Sequence, residues 1–213
     1  MRVGVTIDEL VAADEPRAWE ALGFEPDGDT VVVGEVRIRA AGADAGQGLV
    51  GWSLRGAAGS ELDGLPTRSS ERPAPASAPA HANGVTGLDH VVAITPRLER
   101  TVAALESAGL DLRRIREEPT PAGAPRQAFF RLGSAILEVV QEPEEVVERN
   151  GPDRPAFFWG LAFVSADLDA TVASLGEEQV SEPRDAIQPG RRIATLRRAA
   201  GLACPVALMT PRP

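Results

Sequence analysis

"GLDHVVAITPRLERTVAALESAGLDL" (Gly87–Leu112) decides the fold. Leu88 to Thr95 alternates as a strand. Thr95 can cap a helix, with Pro96 at its first position. Leu98, Thr101, Val102 and Leu105 then form one helical stripe, and Gly109 is the stop. "LDLRRIRE", "RQAFFRLG" and "SAILEVVQ" follow as three strands, the last two joined by a tight turn at Gly133-Ser134. The order is βαβββ.

The same grammar returns in "FFWGLAFVSADLDATVASLG" (Phe157–Gly176), a strand and a helix with Ser165 as cap and Gly176 as stop. Aligned without gaps, Leu98, Thr101, Val102, Ala103 and Leu105 meet Leu168, Thr171, Val172, Ala173 and Leu175. "QVSEPRDA", "RRIATLRRA" and "CPVALMT" complete a second βαβββ copy. A repeat of this kind is stronger evidence for a fold than any single propensity. Residues 1–56 read as a third, trimmed copy: "RVGVTID", a short helix in "EPRAWEALGF", then "DTVVVG", "EVRIRAA" and "GLVGWSLRG" as strands. Between them lie residues 57–86, rich in Pro, Ala, Ser and Gly and without apolar periodicity, which predicts an extended, solvated linker. His81 falls in that linker and is given no role. The expected organisation is therefore 1–56, a linker over 57–86, and a two-module domain over 87–213, with modules at 87–143 and 156–213. The class is α+β.

Composition narrows the chemistry. The net charge is −9, which argues against a nucleic-acid partner, since phosphate binding wants a basic face. All 22 cations are arginine, so Schiff-base chemistry on lysine and a GK[ST] phosphate loop are excluded. There is no tyrosine to act as a phenolic acid or base. The one cysteine, Cys204, excludes an internal disulfide or a Cys-rich zinc site and reads as a buried, inert thiol. No apolar run approaches the roughly 20 residues needed to span a bilayer, and "MRVGVTIDEL" reads as a strand rather than an export segment. These features predict a cytoplasmic protein with no membrane partner.

Two consecutive βαβββ modules, the first opening with "LDHVV" and closing with "ILEVVQ", resemble the vicinal oxygen chelate superfamily. It includes glyoxalase I, extradiol dioxygenases, methylmalonyl-CoA epimerase and bleomycin-resistance proteins. The resemblance covers about residues 86–211 and implies paired modules curled into a cup that holds ligand or metal. Alternation puts Leu88, His90, Val92 and Ile94 on one strand face, and Ile136, Glu138 and Val140 on another. His90 and Glu138 match the superfamily's ligand positions on the first and fourth strands. The resemblance implies one divalent metal there (Zn, Fe, Mn or Ni). The second copy, however, offers Gly160 against His90, and Leu208 or Ala207 against Glu138, so the set is incomplete. His90 and Glu138 with a nearby Gln141 or Gln188 would make a weak site; otherwise no cofactor is expected.

Without a metal, Glu138 could serve as a general base with His90 as its partner. Arg192 is the expected anchor for an anionic substrate end, since Ala194 and Leu196 would share its inward face. Trp159, Phe163 and Phe130 are candidates to line the pocket. Glu142 to Glu148 reads as a solvated connection. Two functions follow. One is a lyase- or isomerase-type enzyme acting on a small oxygenated acid or thioester. The other is a metal-free small-molecule binding or sequestering protein of the bleomycin-resistance type. An uncovered sheet edge on the N-terminal unit invites pairing with its copy in a second chain, giving a homodimer.

Overall fold

The computed structural model of this protein describes residues 4–120 and 123–212. It is α+β, with two mixed sheets of seven and eight strands. The N-terminal copy is β1 (Thr6–Ala12), α1 (Pro16–Glu20), β2 (Pro26–Asp27), β3 (Thr30–Val33) and β4 (Val36–Ala40). β1 begins later than "RVGVTID" and runs on to Ala12; Arg2 and Val3 lie outside the described residues. The copy closes at β4, which pairs parallel with β1, Leu10 against Ile38.

β5 (Leu49–Arg55), expected to close this copy, instead opens another. It is followed by β6 (Glu61–Leu62) and β7 (Leu65–Ser70), and β5 pairs parallel with β7. This is a shortened module with no helix and one strand fewer. The sheet runs β2-β3-β4-β1-β5-β7-β6. The expected linker therefore contributes two strands, with exposed stretches just before β6 and again after Ser70.

The second sheet holds the two full copies. The first is β8 (Val85–Thr95), α2 (Leu98–Ser107), β9 (Asp111–Arg116), β10 (Gln127–Leu132) and β11 (Ala135–Gln141). A short helix follows, α3 (Glu144–Asn150), over most of the stretch expected as a solvated connection, with Glu144, Glu145 and Glu148 exposed; Pro143 starts it and Gly151 ends it. The other copy is β12 (Phe157–Ser165), α4 (Leu168–Leu175), β13 (Arg184–Asp185), β14 (Arg192–Thr195) and β15 (Val206–Met209). The order is β13-β14-β15-β12-β8-β11-β10-β9. In each copy the first and last strands pair parallel, as β8 with β11 and β12 with β15.

The chain divides into two compact units. One comprises Met1–Asp8, Gly51–Arg72 and His90–Trp159; the other Glu9–Val50, Pro73–Asp89 and Gly160–Pro213. In the first, the Asp63-Gly64 turn joins β6 to β7. Asp63 is the only described non-glycine residue with positive φ (53°), as such hairpin turns require. Its carboxylate accepts hydrogen bonds from the Thr101 hydroxyl and from Arg100 Nε (2.7 Å) in α2. Trp52 meets the Phe158 ring edge-on at 5.0 Å.

In the second unit Trp19 packs edge-on against Phe24 (5.2 Å) and Phe163 (6.1 Å). His81 belongs to this core. Its Nδ1 accepts from the Glu25 N–H (3.1 Å), which leaves the proton on Nε2 to donate to the Val32 carbonyl (2.9 Å). His81, to which the sequence assigned nothing, is a satisfied core histidine.

Candidate functional site

β8 and β11 share a face that α2 does not cover. Val91 and Ala93 on β8, and Leu137 and Val139 on β11, are fully buried on the helix side. His90 and Ile94 alternate with them and are half-buried, as are Ile136, Glu138 and Val140. The parallel register sets Ile136 beside His90 and Glu138 beside Val92. His90 Nε2 lies 3.8 Å from Glu138 Oε2, with the side chains 14% and 15% exposed. Imidazole and carboxylate are thus together on one accessible face and mostly out of water.

β10 adds to the same face. Its hairpin with β11 pairs Gln127 with Val140, Phe129 with Glu138 and Arg131 with Ile136. The Gln127 carboxamide donates from Nε2 to Glu138 Oε1, while Gln127 itself is buried. That bond holds one carboxylate oxygen and leaves Oε2 toward His90. The sequence reading passed over Gln127. The signal was the turn at Gly133-Ser134, which fixes which β10 residues lie against Glu138.

The other expected residues go elsewhere. Phe130 alternates away from Phe129 and is fully buried on the helix side. Phe163 is likewise core, against Trp19 and Phe24. Trp159 is 47% exposed and Phe157 41%, on either side of buried Phe158. Arg192 has the parity of buried Ala194 and donates to Asp169 of α4 at 2.7 Å. The face expected to be inward is the one that the helix covers, so Arg192 is an exposed ion pair rather than a substrate anchor. Gln141 alternates to the face opposite Glu138, and Gln188 is exposed on the loop before β14.

The residues present do not make the metal set that the resemblance implied. Gly160 stands where His90 does. Glu138 faces Val92, and its counterpart by register is Ala207, which faces Ala162. Neither Gly160 nor Ala207 can bind a metal through its side chain. Among the described residues no three His, Cys, Asp or Glu side chains group to hold an ion.

Two further buried titratable groups lie in the second unit. Burial pushes the Cys204 thiol up to about 12, helped by nearby Asp14, so the thiol is inert at neutral pH. Burial also raises the Asp14 carboxyl above its ordinary value of 3.8, only partly offset by the Ala203 N–H at 2.6 Å. A folded-state pKa raised in this way favours the protonated form. Its stabilisation is complete below 3.8 and is lost as pH rises through the raised value. We expect Asp14→Asn to gain stability over the wild type across that window. Urea unfolding at several pH values checks this, and parallel curves for the two proteins would contradict it.

No protein-family model and no curated protein sequence matches the chain. Solved structures do. Methylmalonyl-CoA epimerase from Mycobacterium tuberculosis is 20% identical, with TM-score 0.49, over 62% of this chain and 92% of that one. A variant of Streptomyces coelicolor methylmalonyl-CoA epimerase, in complex with 2-nitronate-propionyl-CoA, is 22% identical, with TM-score 0.47, over 61% and 99%. A xylose isomerase-like TIM barrel/4-hydroxyphenylpyruvate dioxygenase fusion protein matches 96% of this chain at TM-score 0.60 and 13% identity. The chain spans about half the length of that fusion protein (49%). At such identity the likeness is one of fold. No helix among the described residues is long and apolar enough to cross a membrane.

Proposed function

We propose, for a chain with the fold of the vicinal oxygen chelate superfamily, an isomerase- or lyase-type enzyme acting on a small oxygenated acid or thioester. One observation carries it: Glu138 and His90 stand 3.8 Å apart on the face of β8 and β11 that α2 does not cover. Glu138 Oε2 is the base that takes a proton from carbon next to a carbonyl. His90 is the group that donates to the oxygen on which negative charge develops. Gln127, on the other carboxylate oxygen, is a positioning residue. No step runs through a metal, because Gly160 and Ala207 leave the ligand set unfilled.

The same two positions favour a second reading, a metal-free protein that binds a small molecule without turning it over. Solvent-deuterium exchange separates the two. Chelator-treated protein in heavy water is offered a panel of 2-substituted thioesters and oxo acids, beginning with methylmalonyl-CoA, and exchange is followed by proton NMR. Exchange at the acidic carbon by the metal-stripped protein supports the enzyme. Saturable binding of a panel member without exchange supports the binding protein. Exchange only after a divalent ion is restored would overturn the metal-free mechanism.

A further inference from the structure

We propose that Arg114 and Arg131 form an anion-binding subsite on the Glu138 face, which holds a carboxylate or phosphate at the far end of the ligand. The assignment rests on the reading of Glu138 as the reacting centre. Register supplies the geometry. One row across the sheet runs Val92, Glu138, Phe129, Arg114; the next runs His90, Ile136, Arg131, Asp111, where the Asp111 carboxylate pairs with Arg113 at 3.1 Å. Arg114 is two strands from Glu138, roughly 10 Å at the usual strand spacing. Arg131 is two strands from His90 in the neighbouring row. The Arg114 guanidinium lies over the Phe129 ring, 5.0 Å from its centre, a cation–π contact that holds it beside the Glu138 row.

Charge pairing sets these two apart. Nearby arginines are neutralised: Arg113 by Asp111 (3.1 Å), Arg116 by Glu118 (3.8 Å), and Arg126 by Glu117 (2.6 Å) and Glu99. Arg114 and Arg131 have no ion pair among the described residues, in a chain with 31 acids and 22 arginines. Both are exposed on strands that hold them in place. A planar guanidinium fork on a rigid strand suits bidentate capture of an oxyanion.

The test is calorimetric titration of the full chain at low salt with malonate, with inorganic pyrophosphate, and with uncharged propanediol as control. We expect saturable binding of at least one anion and none of the diol. Affinity should fall about tenfold or more in Arg114→Gln and in Arg131→Gln. It should be unchanged in Arg113→Gln and retained in Glu138→Gln. Binding of pyrophosphate alone identifies a phosphate-bearing ligand, and binding of malonate alone a carboxylate. The subsite is overturned if neither anion binds, or if Arg113→Gln loses as much as Arg114→Gln. Intact anion binding without deuterium exchange would refute the enzyme reading and leave the subsite standing. Exchange without anion binding would do the reverse.

Discussion

Glu138→Gln is expected to lower deuterium exchange by about 100- to 10 000-fold, the usual contribution of a positioned general base. The substitution keeps the size of the side chain. It also keeps an oxygen to accept from Gln127 Nε2, so the local structure persists. What it removes is the lone pair and charge that receive the substrate proton. Binding of the substrate should change far less than turnover, which places the loss in kcat. Gln127→Ala tests the supporting residue. It removes the Gln127 hydrogen bond to Glu138 Oε1 while leaving the carboxylate in place, so kcat should fall by about tenfold and its pH profile should move. If Glu138→Gln retained activity within a few-fold, the carboxylate would not be the base.

Arg191→Ala is expected to cost about 3–5 kcal/mol, the penalty for removing one partner of a buried ion pair. Against a typical folding stability of about 5–15 kcal/mol, that is a large share. Arg191 and Asp89 are 4% and 3% exposed, and Nη2 to Oδ1 is 2.8 Å. Arg191 also donates to the Thr210 carbonyl from Nε (3.0 Å) and Nη2 (2.6 Å), which ties the entry of β14 to the end of β15. Without it Asp89 keeps Arg212 at 3.3 Å, a side chain 40% exposed that screens a buried carboxylate poorly. Urea unfolding measures the loss. Replacing both partners, Arg191→Met with Asp89→Leu, should recover most of it, because no uncompensated charge is then left buried. A loss under about 1 kcal/mol in the single variant would show that water already reaches the pair.

The repeat was legible because each full copy combines period-two strands, a 3.6-period helix and glycine stops, and the two copies agree with each other. The shortened module was not legible. β5 has the alternation of a closing strand, and nothing in "GLVGWSLRG" tells that it opens a new unit. β6 and β7 were hidden because "EL" and "LPTRSS" are short and mostly polar, with no run of alternating apolar residues. His90 and Glu138 were singled out by the resemblance, and parity added only the strand face that each shares with its neighbours. Parity also sends Phe130 opposite to Phe129, so the aromatic content of "AFF" misled where alternation would not have. Arg192 failed for a different reason. Its apolar neighbours mark a buried face, and in a strand covered by a helix that face is the core, not the pocket. The arginine that the fold cannot spare is its neighbour, Arg191.

Gly160 carries a consequence for anyone who would engineer a metal enzyme from this chain. A Cβ there would fall 2.5 Å from the Pro205 carbonyl oxygen, which also receives the Leu161 N–H at 3.0 Å. The obstacle is main chain, not a side chain that can swing aside. Writing a histidine into position 160 would therefore prise β15 from β12 before it offered an imidazole to any ion. Recovering the missing ligand takes a reshaped strand, and a single codon change cannot supply that.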